Sequence, residues 1–377
     1  MKKIKVLMLG WEYPPYFAGG LGTHVYNLTK ELSKLGVKIY FINPHLIHKK
    51  RGNLEVIGLD VSRQFKEDGK ITVYGRYRLR KIAAFTKKIK EVLKYEFDII
   101  HCQDEHPIDA SILLKKLTKK PLLLTVHSTS FDKSKSVKIR RFTIEKKGMK
   151  NADKIIAVSN FTKQIMVKRY KIDPEKILVI PNAVNQRKLP PKKKEGKIRY
   201  VLCLGRLTYQ KGLPYLLEAA AKVVKKDNNV RFLLVGEGHE RYVRKLRYQV
   251  RKLRLERYVR LLGYVKDRDY CYRKAHIFVM PSVSEPFGIT PLEAISNGTP
   301  AIISRQSGVS ELLKSCLKID YWDTNDLAKK ILFLVNNKKA YERLRKQGLK
   351  EIKKFTWQDT AKRTLKVYKD ILNSDKS

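Results

Sequence analysis

The chain has 377 residues, of which 43% are hydrophobic, so it is long enough for two domains with separate cores and too apolar to stay disordered. Its 82 lysines and arginines against 36 aspartates and glutamates give a net charge of +46, carried by both halves and not by a tail. Cys102, Cys203, Cys271 and Cys316 lie far apart with no C-x-x-C pair, which argues against a disulfide framework or a zinc site.

Taken in chain order, apolar β-prone runs predict strands at Val6–Gly10, Lys38–Ile42, Asp98–His101, Leu122–Val126, Lys154–Val158 and Ile177–Ile180. Helical spacing appears between several of them, at Leu21–Leu35, Ile82–Tyr95 and Phe161–Tyr170, which is an α/β pattern. Residues 187–197 (RKLPPKKKEGK) lack apolar periodicity and read as a linker. A second alternating set follows, with strands at Arg199–Leu204, Val230–Gly236, Arg260–Leu262, His276–Met280 and Ala301–Ser304 and helical segments between them, including the basic amphipathic run Tyr242–Arg260. The expected organisation is therefore an α/β protein of two doubly wound, Rossmann-like domains facing a cleft. Residues 1–186 form the first and 198–355 the second, and a closing helix lies in 356–377.

The most informative segment is Ser284–Pro300, SEPFGITPLEAISNGTP. It places Glu285 and Glu293 seven intervening residues apart across a predicted strand-to-helix turn. Thr290 as N-cap, Pro291 at the first helical position and Glu293 three residues past the cap would make a capping box, so Glu293 is open to a structural reading as well as a ligand role. Glu285 has no such alternative. A carboxylate at the carboxyl end of a parallel strand lies where open α/β sheets bind ligands.

Near the start, Gly19-Gly20-Leu21-Gly22 follows the first strand and opens a helix, so the backbone can approach a phosphate closely. Such a glycine cluster by itself is equally a helix-entry turn. Arg206 and Lys211 lie in the loop after the strand Arg199–Leu204. Either alone would read as a solvated cation in so basic a chain.

The E-x7-E spacing within SEPFGITPLEA is similar to the signature of retaining GT-B glycosyltransferases, above all glycosyltransferase family 4 and more distantly glycogen and starch synthases. GWEYPPYFAGGLGTHVYNL resembles the family's glycine-rich loop and first helix, and GRLTYQKG its phosphate-clamping segment. HCQDEH, TVHS, VSNFT, PNAVN and FTWQDTAKRTLKVY resemble further blocks in the same order, so the resemblance covers nearly the whole chain. Phe17 stands where bacterial glycogen synthases have a lysine, which favours family 4.

The resemblance implies transfer of a hexose, with glucose favoured, from a UDP-, ADP- or GDP-sugar to a hydroxyl acceptor with retention of configuration. Arg206 and Lys211 would hold the diphosphate together with backbone groups at Gly288, Ile289 and Thr290, and with Gly19 and Gly20 on the first domain. Glu285 would position the sugar hydroxyls, Glu293 the ribose, and His127 at the end of Leu122–Val126 the far side of the sugar. Asp104 matches an acidic residue near the donor hexose, and reads equally as a turn aspartate. The base would lie near Gly236, Tyr264 and Val265. No cofactor beyond the donor and no metal is implied; Asp267-Arg268-Asp269 has a D-x-D pattern but sits at a helix start, where aspartate caps. His24 is expected to pack or cap beside the glycine loop, while the roles of His101 and His106 stay open.

The start MKKIKVLMLG is too short in its apolar run for a signal peptide, and no stretch approaches the roughly 18 apolar residues of a membrane span. A cytoplasmic protein is expected, with peripheral attachment at the inner membrane face as one option. The surplus charge admits three readings: solvated faces, nonspecific nucleic-acid binding by a nonenzymatic protein, or an anionic membrane surface. No zinc-finger, RRM or KH signature supports specific nucleic-acid binding. Lys133–Lys150 (KSKSVKIRRFTIEKKGMK) is expected to border the acceptor side. Candidate acceptors are a glycan, by glycogen synthase-like elongation among others, a lipid-linked glycan or a small molecule.

Overall fold

The computed structural model describes residues 3–16, 19–61, 63, 65, 77–133, 137–187 and 196–374. The chain divides into two compact units: Met1–Phe131, Lys135–Asn182 and Trp357–Ser377 form one, and Asp132–Ser134 with Ala183–Thr356 the other. The chain leaves the first unit at Asn182, a few residues before the expected boundary at 186; most of the expected linker, 188–195, lies outside the described residues.

Among the described residues the first unit is built on eight strands: β1 Lys5–Leu9, β2 Lys38–Asn43, β3 His48–Arg51, β4 Leu54–Gly58, β5 Ile99–Gln103, β6 Leu122–Val126, β7 Lys154–Ala157 and β8 Ile177–Val179. Their order is β3-β4-β2-β1-β5-β6-β7-β8, parallel except for the antiparallel β3–β4 pair. Strands such as β6 (LLLTV) are buried at every position, and apolar but for Thr125, because both faces are covered. The pleat divides β1 between two cores: Leu7 and Leu9 join Ile100, Cys102, Leu122 and Leu124 on one face, while Val6 and Met8 join Ile39, Phe41, Ile99 and Leu123 on the other. The helix Trp357–Ser374 closes that second face through Ala361, Val367, Tyr368 and Ile371, a helical spacing that supplies an apolar stripe.

Among the described residues the second unit has six strands: β9 Arg199–Leu204, β10 Val230–Val235, β11 Val259–Gly263, β12 Ile277–Met280, β13 Ala301–Ser304 and β14 Leu317–Ile319, ordered β11-β10-β9-β12-β13-β14. Every pairing along this order is parallel. From β9 the chain adds β10 and β11 on one side and then crosses to β12 on the other, so strand order reverses between β9 and β12. In the first unit the reversal falls between β1 and β5. Ligands of open α/β sheets lie outside the carboxyl ends of the strands at such points.

Several expected elements change. β3 (HKKR), exposed at all four positions, has no apolar signal because it is an edge strand, where lysines guard against further pairing. β4 and β14 are likewise additions to the expected strands. The helix expected at Tyr242–Arg260 spans only Glu240–Lys252; Arg254 takes a left-handed φ of 56°, which ends it, and Val259–Gly263 becomes β11. The segment 161–170 is a short α-helix, Asn160–Ile165, that widens to a π-turn at Met166–Tyr170.

Candidate active site

In the second unit, the carboxyl ends of β9 and β12 bring two expected site residues together. After β9 the chain passes Gly205 and Arg206 into a 3-10 turn, Tyr209–Lys211, and then the helix Leu213–Lys226. Gly212 joins them at φ 63°, where a Cβ would sit 1.9 Å from the Pro281 carbonyl oxygen, so only glycine fits between this loop and the end of β12. Lys211 Nζ then meets Glu285 Oε2 at 2.5 Å, with side chains only 17% and 12% exposed. Ser282 Oγ donates to the same oxygen at 3.2 Å. The Glu285 backbone is pinned on both sides: its N–H donates to Gln306 O, and its carbonyl accepts from Gly308 N, each at 2.9 Å. Arg206, by contrast, is exposed on its loop.

Beside Glu285, Gly288 at φ 97° opens the helix Ile289–Ser296. A Cβ there would come within 3.2 Å of Glu285 Cγ. The capping box is overturned. The helix begins at Ile289, so Thr290 is its second residue and makes no capping bond; its hydroxyl faces Met280 Sδ at 3.9 Å. Glu293 lies past the first turn and accepts from the buried Tyr272 hydroxyl at 2.7 Å, with Arg268 4.0 Å away. Burial first, then Glu293, pushes the Tyr272 hydroxyl well above its ordinary pKa, so it remains a donor that holds the carboxylate. Ile289 and Thr290 supply the helix amino end at the carboxyl side of β12.

Gly236 has a packing reason of its own: a Cβ would lie 2.0 Å from Gly205 O, and its N–H donates to Gly263 O at 2.7 Å. Tyr264, 71% exposed, and the half-buried Val265 follow β11. In the D-x-D segment, Asp267 caps the helix Arg268–Lys274 by accepting from Tyr270 N at 2.9 Å. Asp269 accepts from Asn297 Nδ2 at 3.0 Å and pairs with Arg187 at 2.6 Å. Among the described residues no group of three or more His, Cys, Asp or Glu side chains could hold a metal ion.

In the first unit, Gly19 is the N-cap of the helix Gly20–Lys34, and space around it is open to 4 Å. Phe17 lies outside the described residues. Sequence reasoning missed Glu12, buried at 3% exposure, whose Oε2 accepts from the Gly22 N–H at 3.0 Å. One first-turn donor of the glycine loop is thus already held by a carboxylate. The available signal was an acidic residue inside the otherwise apolar WEYPPY.

His127, at the end of β6, places Nε2 2.9 Å from Gln103 Oε1, and its backbone N–H donates to Asp104 Oδ1 at 3.2 Å. Asp104, at φ 64°, thereby takes the turn role and fixes the loop carrying His127. His24 packs its ring edge-on to His127 with centroids 4.4 Å apart and bonds Asn182 Oδ1 at 2.7 Å. Burial lowers its pKa to about 4, against the raising effect of Asn182. His106 lies tilted against Trp11 at 5.1 Å.

The basic run Lys133–Lys150 is not uniformly a solvated surface. Within its helix, Ile139–Asn151, Arg141 pairs with buried Glu105 and, at 3.2 Å, with buried Glu145. Glu145 also accepts from Ser130 Oγ at 2.7 Å and from Tyr170. Arg141 is therefore internal structure, since two buried carboxylates need its charge. Lys138 and Arg140 remain exposed, and the half-buried Lys146 lies over the Phe142 ring, 5.6 Å from its centroid. No helix among the described residues is long and apolar enough to cross a membrane.

Two Rossmann-like parallel-sheet units, with a cation and a carboxylate meeting at the switch point of the second, define the GT-B class. A sucrose-phosphate synthase from Thermosynechococcus elongatus superposes with a TM-score of 0.84 at 22% identity, covering 99% of this chain and 100% of that one. The Anabaena protein HepE, solved with UDP-glucose, gives 0.75 at 16% identity over 97% and 100%. In sequence, residues 18–188 match the family described as Glycosyltransferase Family 4, and residues 185–351 match Glycosyl transferases group 1. An uncharacterized glycosyltransferase of Methanocaldococcus jannaschii is 30% identical over 98% of this chain and 99% of its own length. The gpi3 component of the phosphatidylinositol N-acetylglucosaminyltransferase of Schizosaccharomyces pombe is 26% identical over 95% and 79%. The chain belongs to the family 4 glycosyltransferases.

Proposed function

We propose that the protein is a retaining hexosyltransferase that moves a hexose, with glucose favoured, from a nucleotide diphosphate to a hydroxyl of a glycan or lipid-linked glycan. The observation that carries the reading is the Lys211–Glu285 pair at the reversal between β9 and β12. A sugar nucleotide presents adjacent anionic and hydroxylated parts, and these two side chains match them in that order.

In the reaction, the acceptor oxygen bonds to the anomeric carbon on the face from which the diphosphate departs. The bond from that carbon to the phosphate oxygen breaks, and the acceptor proton passes to the leaving phosphate, so no separate base is needed. Lys211 and Arg206 neutralise the charge that grows on the diphosphate, and the amino end of Ile289–Ser296 adds its dipole. Glu285, released from Lys211 as the phosphate takes that cation, accepts from sugar hydroxyls. Glu293, oriented by Tyr272, is the ribose ligand, and His127 is the first unit's contact to the sugar.

Incubation with UDP-, ADP- and GDP-hexoses and a panel of acceptors tests the proposal. A product with the donor's α configuration by NMR, lost in Lys211→Ala, is expected. An inverted product, or undiminished transfer in that variant, overturns it. Relatives that include a glycogen synthase of Mycobacterium tuberculosis, 23% identical over 97% of this chain, keep glycogen among the acceptors to be tried.

A further inference from the structure

His127 is the end of a chain of buried side chains that leads away from the sheet's carboxyl edge to the closing helix. Gln103 Nε2 lies 3.1 Å from His101 Nε2, and His101 Nδ1 lies 2.7 Å from the Tyr368 hydroxyl. Thr125 Oγ1 is 2.7 Å from the same His101 Nε2. Gln103, His101 and Tyr368 are fully buried, and Thr125 is 1% exposed. We propose that Tyr368 on the closing helix sets the tautomer of His127 through His101 and Gln103, and is thereby a positioning residue for the candidate sugar contact.

The assignment follows from which atoms can donate. The Gln103 carboxamide oxygen only accepts, so the facing Nε2 of His127 carries the proton. The Gln103 nitrogen only donates, so His101 Nε2 is bare and accepts from it and from the Thr125 hydroxyl. The single proton of a neutral His101 is then on Nδ1 and is donated to the Tyr368 oxygen. Met8 Sδ, 3.6 Å from Gln103 Nε2, favours this orientation of the amide in the wild type, because the sulfur is a weak acceptor; the contact is weak enough to yield to a stronger demand from His101. Burial, with a smaller push from His24, lowers the His101 pKa to about 3, so the ring stays neutral. The result leaves Nδ1 of His127 as its lone-pair nitrogen, suited to accept from a sugar hydroxyl.

Loss of the Tyr368 hydroxyl would leave a buried N–H on His101 without an acceptor, a state that folded proteins avoid. The proton is better placed on Nε2, where Thr125 Oγ1 accepts it. That N–H then opposes the Gln103 amide nitrogen, the amide turns over, and its nitrogen donates to His127 Nε2. The His127 proton moves to Nδ1. One hydroxyl on the closing helix thus reverses the donor and acceptor ends of an imidazole on another element.

This consequence for transfer rests on the proposed sugar role of His127, whereas the tautomers themselves do not. The test is 15N NMR of the full chain labelled at histidine, with kinetics alongside. In the wild type, His127 protonated at Nε2 and His101 at Nδ1 are expected; the reverse at either ring overturns the proposal without any mutation. In Tyr368→Phe, His127 is expected to switch to Nδ1–H, with kcat/KM for the donor falling about tenfold, the worth of one reversed hydrogen bond. An unchanged His127 pattern overturns the relay. In a Gln103→Met background the connection is cut, so adding Tyr368→Phe should leave the His127 spectrum as it is; a further switch there would show another route and sink the proposal. If His127→Ala leaves transfer intact, the sugar role fails, and the spectra still decide the relay.

Discussion

The two units present their candidate residues in opposite electrical states. In the second, Lys211 and Glu285 are full charges held against one another at 2.5 Å with little exposure. In the first, His127 sits on an amide and against a buried imidazole kept neutral. Under the proposed function, the difference matches two recognition problems. A diphosphate is best met by charge in a poorly solvated site, where Coulomb interactions are strong. The sugar hydroxyl proposed for His127 can be met by a neutral group whose donor and acceptor point in fixed directions, because an unmatched buried polar group costs more than a matched one gains; the hydroxyls proposed for Glu285 lie nearer the charged end. The second unit stores its binding charge as an internal ion pair, and the first stores direction as a hydrogen-bond chain.

The largest effect should come from cutting the ion pair. Lys211→Ala is expected to lower transfer at least 100-fold, the scale of a lost charged transition-state contact, and to destabilise the second unit by about 2 kcal/mol. The stability loss is smaller than the 3–5 of a fully buried pair because some solvent reaches Glu285. The double variant Lys211→Ala, Glu285→Gln should regain stability in thermal melts without regaining activity. Should it regain activity, the pair is only structural. Arg206→Ala, which removes an exposed cation, should cost about tenfold less in kcat than Lys211→Ala; equal losses would erase the distinction drawn between the two cations.

Glutamine substitutions sharpen the comparison next. Glu285→Gln should lower kcat by about tenfold or more, because a charged partner of both Lys211 and the sugar is gone. Glu293→Gln should chiefly raise the donor KM, since glutamine still accepts from Tyr272. Wild-type kinetics in both would return this segment to a structural role.

Acid should separate the units. His24, His45 and His101 all lie in the first, and burial lowers them to about 4, 4 and 3. Their ordinary value is about 6.5. Below that pH the unfolded chain takes up protons that the folded unit refuses, so stability is fully present above pH 6.5 and falls as pH drops toward 4. Each histidine contributes about 1.4 kcal/mol per pH unit in that window. Melts from pH 7 to 4.5 should show the steep loss, and His24→Gln should make it shallower. A slope unchanged by that substitution would place the proton uptake elsewhere.

The smallest effects concern surface charge. Neutralising Lys138, Arg140 and Lys146 together should leave the Tm within a degree or two while weakening adsorption to anionic vesicles at low salt, if the acceptor is lipid-linked. Arg141→Gln should do the reverse, because Glu105 and Glu145 would be left buried without their cation. Vesicle binding that ignores all four substitutions would remove this helix from any membrane role, and retention on glycogen would favour a glucan acceptor.

The sequence by itself determined the alternation of elements, the two-unit α/β class and the segments that carry the candidate chemistry. Those properties are local: a doubly covered parallel strand must be apolar along its length, and glycines must stand where loops pass closely. It also pointed to the ends of β9 and β12 as candidates, though not to the meeting of their side chains, since Lys211 and Glu285 are far apart in the chain and only the order of strands makes them neighbours. The edge strand β3 was invisible because solvent exposure erases the apolar pattern. The capping box failed because Gly288, in the left-handed region, starts the helix before Thr290 can cap it. Arg141 looked like one more surface cation among 82 basic residues until the fold placed two buried carboxylates around it. Tyr368 stood in the sequence only inside the block FTWQDTAKRTLKVY, and its contact with His101 depends on the closing helix packing on the first sheet. Distant pairings of this kind are set by tertiary packing, which no window of sequence contains.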